Sequence, residues 1–143
     1  MKSRTLRTRS EEDTIALGRE LGAELDGVVL LIGNLGAGKT TLAKGIVEGH
    51  GAAAAEEVSS PTFTLIHQYG GESGTLVYHV DLYRLDEPRE VANLGLEDLF
   101  ASGALVLLEW AERFPGLLPP ERTEIRLRAL EDDSRAIVIE TLG

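Results

Sequence analysis

The stretch Val28-Val29-Leu30-Leu31-Ile32-Gly33-Asn34-Leu35-Gly36-Ala37-Gly38-Lys39-Thr40 passes from an unbroken apolar run into a glycine-rich turn that ends on a lysine and a threonine. A continuous β-branched and leucine run is what a strand buried on both faces requires, and such strands sit at the centre of parallel sheets covered by helices. The turn fits G-x-x-x-x-G-K-[ST] in the context that gives this pattern a mechanism, after a buried strand and before a helix. Gly33, Gly36 and Gly38 let the backbone curl around an anion with its N–H groups inward, and the following helix adds its positive end. Lys39 supplies a point charge for terminal phosphates, and Thr40 a small hydroxyl able to ligate Mg²⁺. At average glycine usage a chance match has odds on the order of one in two hundred in a chain of this size. Gly33, Leu35, Gly36, Ala37, Gly38, Lys39, Thr40 and Thr41 are therefore the candidate cradle for a nucleotide's phosphates.

The flanking sequence predicts a single α/β domain over residues 1–143. Upstream, Ser10 reads as a helix cap, with Asp13 a weaker stand-in for the glutamate of a capping box. Leu17, Leu21 and Leu25 recur along one face, giving a helix over 11–25 that Asp26-Gly27 ends. Residues 4–8 are a candidate edge strand. Downstream, a helix is expected over 39–48, closed by Gly49 and Gly51. Residues 52–61, small, acidic and then Ser/Pro-rich, read as a mobile surface loop. Strands over 63–69 and 75–80 flank Gly70-Gly71-Glu72-Ser73-Gly74 and are expected to pair as a hairpin. A short helix over 94–101 leads to a second continuous apolar run, 104–108. Pro115, Pro119 and Pro120 precede two alternating strands near 124–128 and 136–140. The fold class is a P-loop NTPase-like three-layer α/β fold, a mixed sheet with a parallel centre and antiparallel edge strands.

Composition narrows the function. With 143 residues, 43% hydrophobic and 27% charged, the chain is long enough for one modest core. No cysteine is present, which excludes disulfides, thiolate metal sites and cysteine nucleophiles, and is compatible with the cytoplasm, the expected location. No apolar stretch approaches the ~20 residues of a membrane span and the start is not signal-like, so neither membrane insertion nor export is expected. The formal charge of -10, from 14 Lys+Arg against 24 Asp+Glu, repels polyphosphate backbones at long range, so tight binding of nucleic acid by this chain alone is not expected. Short-range backbone donors can still hold a small anion. The lysines are Lys2, Lys39 and Lys44 only, which makes the place of Lys39 informative.

A Mg²⁺-phosphate site normally takes an acidic residue from the end of a neighbouring strand. Glu109 follows the apolar run 104–108, and Asp81 follows Leu76-Val77-Tyr78-His79-Val80. The plainer alternative for each is a solvated strand-end carboxylate. Ser59-Ser60-Pro61-Thr62-Phe63 offers hydroxyls, Ser60 and Thr62 among them, where switch loops contact terminal phosphate and metal, or an ordinary Ser-Pro turn. Trp110, the single tryptophan, either stacks near the nucleotide or fills core. His50, His67 and His79 lack metal-ligand spacing, which favours core or surface roles.

Four blocks now coincide: LIGNLGAGKTTLAKG, VSSPTFTLIHQY, VYHVDLYRLDEPREVANLGLEDLF and LVLLEW. In this order and spacing the chain resembles the TsaE family, bacterial P-loop ATPases of tRNA threonylcarbamoyladenosine biosynthesis, over about residues 17–118 and weakly through Arg135. The resemblance implies ATP and Mg²⁺ as cofactors, phosphate binding by Gly36 through Thr41, and Mg²⁺ ligation by Thr40 and Glu109. It implies a catalytic or water-positioning part for Asp81, a switch-like loop around Ser60 to Phe63, a functional Trp110, and an Arg135 that lies over the nucleotide. Asn34 departs from the family, which usually has Asp there. The implied role is ATP hydrolysis while bound to the TsaB–TsaD pair, the partner that carries out threonylcarbamoyl transfer. Slow turnover alone is expected, because no arginine finger lies beside the motif; Arg84 and Arg113 are candidates to assist in cis. Two rivals stand beside this reading: a P-loop kinase for a small hydroxyl compound, although no arginine-rich lid segment is present, and a nucleotide-loaded switch without meaningful hydrolysis. A GTPase is disfavoured by the lack of an N/T-K-x-D block.

Overall fold

The computed structural model describes residues 2–34, 36–59, 65–71 and 75–143. Its strands are β1 (Lys2–Thr8), β2 (Val28–Ile32), β3 (Ile66–Gly70), β4 (Leu76–Asp81), β5 (Leu105–Glu109), β6 (Arg122–Ala129) and β7 (Arg135–Leu142). Its α-helices are α1 (Glu11–Glu24), α2 (Lys39–Gly49), α3 (Pro88–Ala92) and α4 (Leu96–Ala101). Among the described residues the strands form one sheet in the order β1-β7-β6-β2-β5-β4-β3. β6, β2, β5 and β4 run parallel, while β3 pairs antiparallel with β4, β7 with β6, and β1 with β7. A parallel centre with antiparallel edges is the architecture expected from the sequence.

β2 and β5 are the apolar runs, and their alternate residues feed two cores. Val29, Leu31, Leu105 and Leu107 pack with Leu21 of α1 and with Leu42, Ala43, Ile46 and Val47 of α2. Val28, Leu30, Val106 and Leu108 pack on the other face with Val91 of α3, Leu96 of α4 and Phe114. The sheet thus lies between two helical layers. No helix among the described residues is long and apolar enough to cross a membrane.

The α1 and α2 helices touch backbone to backbone. A Cβ at Gly45 would meet Ile15 O at 2.2 Å and Gly18 Cα at 2.8 Å, and one at Gly49 would meet Arg19 O at 2.0 Å; one at Gly22 would meet Ile46 O at 2.2 Å. The pairing of Gly18 with Gly45 and of Arg19 with Gly49 means that the helices run side by side in the same direction, bringing both N-termini to one end of the sheet. The α1 start is capped as expected, Ser10 Oγ accepting from Asp13 N at 3.0 Å; Asp13 Oδ2 in turn accepts from Arg9 N at 2.9 Å.

Several boundaries differ from the sequence reading. Residues 52–59 are held against the protein rather than projecting as a mobile loop: a 3₁₀ turn spans Ala55–Glu57, Ala55 and Val58 are buried, and Ala55 N donates to Glu48 Oε2 at 3.1 Å. Small alanine side chains let that backbone lie against the core; the rest of the stretch is outside the described residues. The helix expected over 94–101 begins at Leu96, after Gly95 at φ 75. The separate turn α3 precedes it, opened by a reciprocal Glu87–Glu90 capping box with Pro88 in its first turn. The hairpin pairs as expected, Ile66 with Val80 through Gly70 with Leu76, and residues 63 and 64 lie outside the described residues. The edge strand β1 and the final strands are longer than read, because each pairs along its length with a neighbour.

Candidate functional site

The P-loop joins the buried end of β2 to the start of α2. Ala37 N donates to Asn34 O at 3.0 Å, and Gly36 and Gly38 take φ of 81 and 105, values that L side chains rarely adopt. Gly33 has a different reason: a Cβ there would meet Leu127 O of β6 at 2.6 Å. Gly38 is the N-cap of α2 and offers no side-chain cap. The first N–H groups of α2 are thus left for an anion.

Lys39 opens α2 and is only 5% exposed. Its Nζ has no hydrogen-bond partner among the described residues and sits 3.7 Å from the centroid of the Trp110 ring, within cation–π range. Burial holds the ammonium's pKa below the ordinary lysine value, opposed in part by the carboxylates of Glu109, Glu112 and Asp81. Trp110 faces the lysine from a left-handed backbone, φ 65, a conformation costly for a bulky residue and concentrated at functional sites. Its ring also lies against Tyr83, centroids 5.1 Å apart.

The two candidate carboxylates end neighbouring parallel strands, Asp81 directly opposite Glu109, and both are 3% exposed. Asp81 Oδ1 accepts from Tyr83 N at 2.9 Å. Glu109 Oε2 is 2.5 Å from Nε2 of the fully buried His79. The ends of parallel strands at their carboxyl edge are where α/β sheets bind ligands.

A cavity of about 330 Å³ joins these groups: Gly36, Gly38, Lys39, Thr40, Thr41, Asp81, Glu109, Trp110 and Arg135 line it, with Glu11 and Tyr83. Arg135 lies over the loop, its Nε 3.5 Å from where a Gly38 Cβ would be. The β6–β7 turn that carries it is tied to β1 by Arg7, which reaches Asp132 Oδ2 at 2.5 Å and Ser134 Oγ at 3.1 Å. Hydrogen bonds from Ser134 hold the Asp132 carboxyl below its usual range. A second hollow of about 350 Å³ shares Glu11, Gly38, Thr41 and Arg135 and adds Arg9, Ser10, Thr14 and Asp133.

Gly33 and Ala37, read as cofactor-binding, belong to the loop but do not line the cavity, and Ala37 is buried in the core. Leu35, Ser60 and Thr62, and with them the switch-like loop to Phe63, lie outside the described residues. Arg113 is not a spare guanidinium for the site: Nη1 donates to Tyr83 O at 3.2 Å and Nη2 to Leu85 O, so it braces the turn after β4. His79 is fully buried, a core role as expected, and Glu112, whose carboxylate acts on Lys39, is a neighbour that the sequence does not single out. The signal for the place of His79 beside the site is parity, since it precedes Asp81 by two on a strand and so faces the same side; Glu112 has none.

The donor set fits nucleotide and metal. A buried ammonium without a partner is costly unless an anion meets it, and a polyphosphate beside Asp81 and Glu109 needs a cation between them. No cluster of three or more His, Cys, Asp or Glu able to hold a metal occurs among the described residues. A Mg²⁺ site of hydroxyl, carboxylate and phosphate oxygens does not require one.

Taken together, β2, its loop and α2 place the chain in the P-loop class of α/β proteins. The family model described as "Threonylcarbamoyl adenosine biosynthesis protein TsaE" matches residues 8–137. A Bacillus subtilis (strain 168) protein named tRNA threonylcarbamoyladenosine biosynthesis protein TsaE is 39% identical over 146 residues, covering 100% of this chain and 89% of its own length. The protein of the same name from Treponema pallidum is 37% identical over 134 residues, covering 92% and 96%. The solved structure titled "Crystal structure of Bacillus subtilus YdiB" superposes with a TM-score of 0.80 at 33% identity, covering 99% of this chain and 87% of that one. The chain belongs to the TsaE family of threonylcarbamoyladenosine biosynthesis proteins.

Proposed function

We propose that this protein binds ATP with Mg²⁺ and hydrolyses it as a partner-dependent step of tRNA threonylcarbamoyladenosine formation, acting on the TsaB–TsaD pair and not on the threonylcarbamoyl group. The observation that carries the reading is Lys39: an ammonium buried without a hydrogen-bond partner among the described residues, at the open start of α2, beside two buried carboxylates. The backbone N–H groups of the loop and Lys39 hold the β- and γ-phosphates. Thr40 and Glu109 hold Mg²⁺, which when bound neutralises charge on the phosphates. Asp81, at the strand end beside Glu109, orients the attacking water. Ser60 and Thr62 serve the terminal phosphate or metal as a switch, and Trp110 borders the phosphate end. The adjoining hollow at Ser10, Thr14 and Asp133 takes the nucleoside, under Arg135.

The protein has Glu11, Asp81 and Glu109 at the cavity against Lys39 and Arg135, so the charge that hydrolysis develops is poorly balanced in the isolated chain. That supports slow turnover alone and completion by the partner. Hydrolysis is measured for the chain alone and with the purified TsaB–TsaD pair. Acceleration by the pair, abolished by Glu109→Ala, is the expected result. Equal rates with and without partner, or phosphate transfer to a small hydroxyl compound instead of water, would contradict it.

A further inference from the structure

His79 lies beneath the cavity, fully buried on β4. Its Nε2 is 2.5 Å from Glu109 Oε2, while Nδ1 has no hydrogen-bond partner among the described residues. A ring with its hydrogen on Nε2 donates to the carboxylate and leaves only a lone pair at Nδ1. The other tautomer would set two lone pairs against each other at that distance and bury an N–H with no acceptor. The bond therefore runs from His79 to Glu109.

The backbone under the ring is fixed, because β4 is paired on both sides at this position, His79 with His67 on β3 and with Leu107 on β5, and the ring itself is packed in with no exposure. Glu109, free to swing through several rotamers as a side chain, is thus held by one oxygen from below. Oε1 is the oxygen His79 leaves unclaimed, on a residue that lines the cavity beside Lys39 and Thr40. Carboxylates at metal sites depend on such supporting bonds, and their loss typically costs ten- to a hundredfold in metal affinity.

We propose that His79 is a positioning residue: by holding Oε2 it sets Glu109 with Oε1 toward the cavity, pre-arranged for Mg²⁺. The inference rests on the assignment of Glu109 to Mg²⁺ made above.

The test is a Mg²⁺ titration of the full chain at fixed concentration of a non-hydrolysable ATP analogue, with nucleotide binding read by calorimetry. His79→Leu is expected to raise the half-saturating Mg²⁺ about tenfold while leaving the affinity measured in chelator unchanged. His79→Gln, whose amide nitrogen reaches the place of Nε2, is expected to restore the wild-type requirement, and His79→Asn, which falls short, is not. An unchanged Mg²⁺ requirement in a folded His79→Leu overturns the proposal. If a melting curve finds His79→Leu unfolded, the Gln and Asn variants decide: a higher requirement in Asn supports the positioning role, and equal requirements overturn it. Glu109→Gln separates the two levels. If it responds to Mg²⁺ as the wild type does, the assignment of Glu109 fails and His79's role with it. If it shifts the requirement while the His79 variants do not, the positioning role alone is lost.

Discussion

Lys39 concentrates the electrostatics of this protein. Desolvation lowers its pKa, so the unfolded chain binds that proton more tightly, and the group's contribution to stability rises with pH between its lowered value and the ordinary lysine value. Nucleotide affinity moves the other way. A phosphate favours the charged ammonium, so ATP affinity measured from neutral into alkaline pH is expected to fall as Lys39 deprotonates, at a pH below the lysine norm. In Lys39→Arg the guanidinium stays charged, and that alkaline fall is expected to disappear; a persistent fall would place the titration elsewhere. Trp110, the only tryptophan, rests on the same ammonium, so its fluorescence is expected to change as ATP is added, and no change at saturation would argue that Trp110 stays on the lysine. Asp81→Ala is expected to spare ATP binding and cut turnover with the partner by about a hundredfold or more, the low end of general-base effects; equal rates would remove Asp81 from the chemistry. The sequence made Lys39, Thr40, Asp81 and Glu109 legible because each sits at a position that strand and loop periodicity fixes. It did not make legible which atoms meet: Trp110 over Lys39 depends on a left-handed backbone no local pattern signals, and Arg113's use as a brace depends on where the turn after β4 comes to rest.

At the scale of elements, the α1–α2 contact sets where the P-loop opens. Gly18-x-x-x-Gly22 on α1 faces Gly45-x-x-x-Gly49 on α2, and the close approach leaves no room for a Cβ. Gly45→Ala forces the helices apart or bends them, an overpacking expected to cost about 1–3 kcal/mol. Thermal melting checks this, and a variant as stable as the wild type would mean that the helices separate without penalty. ATP affinity is expected to drop in the same variant, since α1 and α2 bring their N-termini together at the hollow shared by Glu11, Gly38 and Thr41. The two apolar runs were enough to place β2 and β5 at the sheet centre, because only doubly buried strands are apolar at every position. The glycine repeats stood in the sequence unread, since small residues four apart carry no amphipathic signal until the partner helix is known. The α3 turn escaped for a related reason: its capping box at Glu87 and Glu90 is legible, but five residues are too few to show a helical period.

Over the whole molecule, the net charge of -10 bears on the proposed division of labour between this protein and a partner. The protein is expected to hold ATP and engage a protein partner while leaving tRNA to that partner, so a gel-shift titration with tRNA at physiological salt is expected to find no binding by the chain alone, and a tight complex would contradict it. The family and the mixed sheet follow from patterns spread across the chain; the proposed coupling of hydrolysis to a partner does not, because it would depend on charges that a partner brings. Everything here depends on the loop and Lys39 gripping a triphosphate. The most direct measurement is a calorimetric titration of ATP with Mg²⁺ into the wild-type chain and into Lys39→Ala. Saturable binding in the wild type, weakened in the variant by about 1.5–3 kcal/mol, roughly ten- to a hundredfold, is the predicted result. No binding by the wild type, or equal affinity in both, would contradict it.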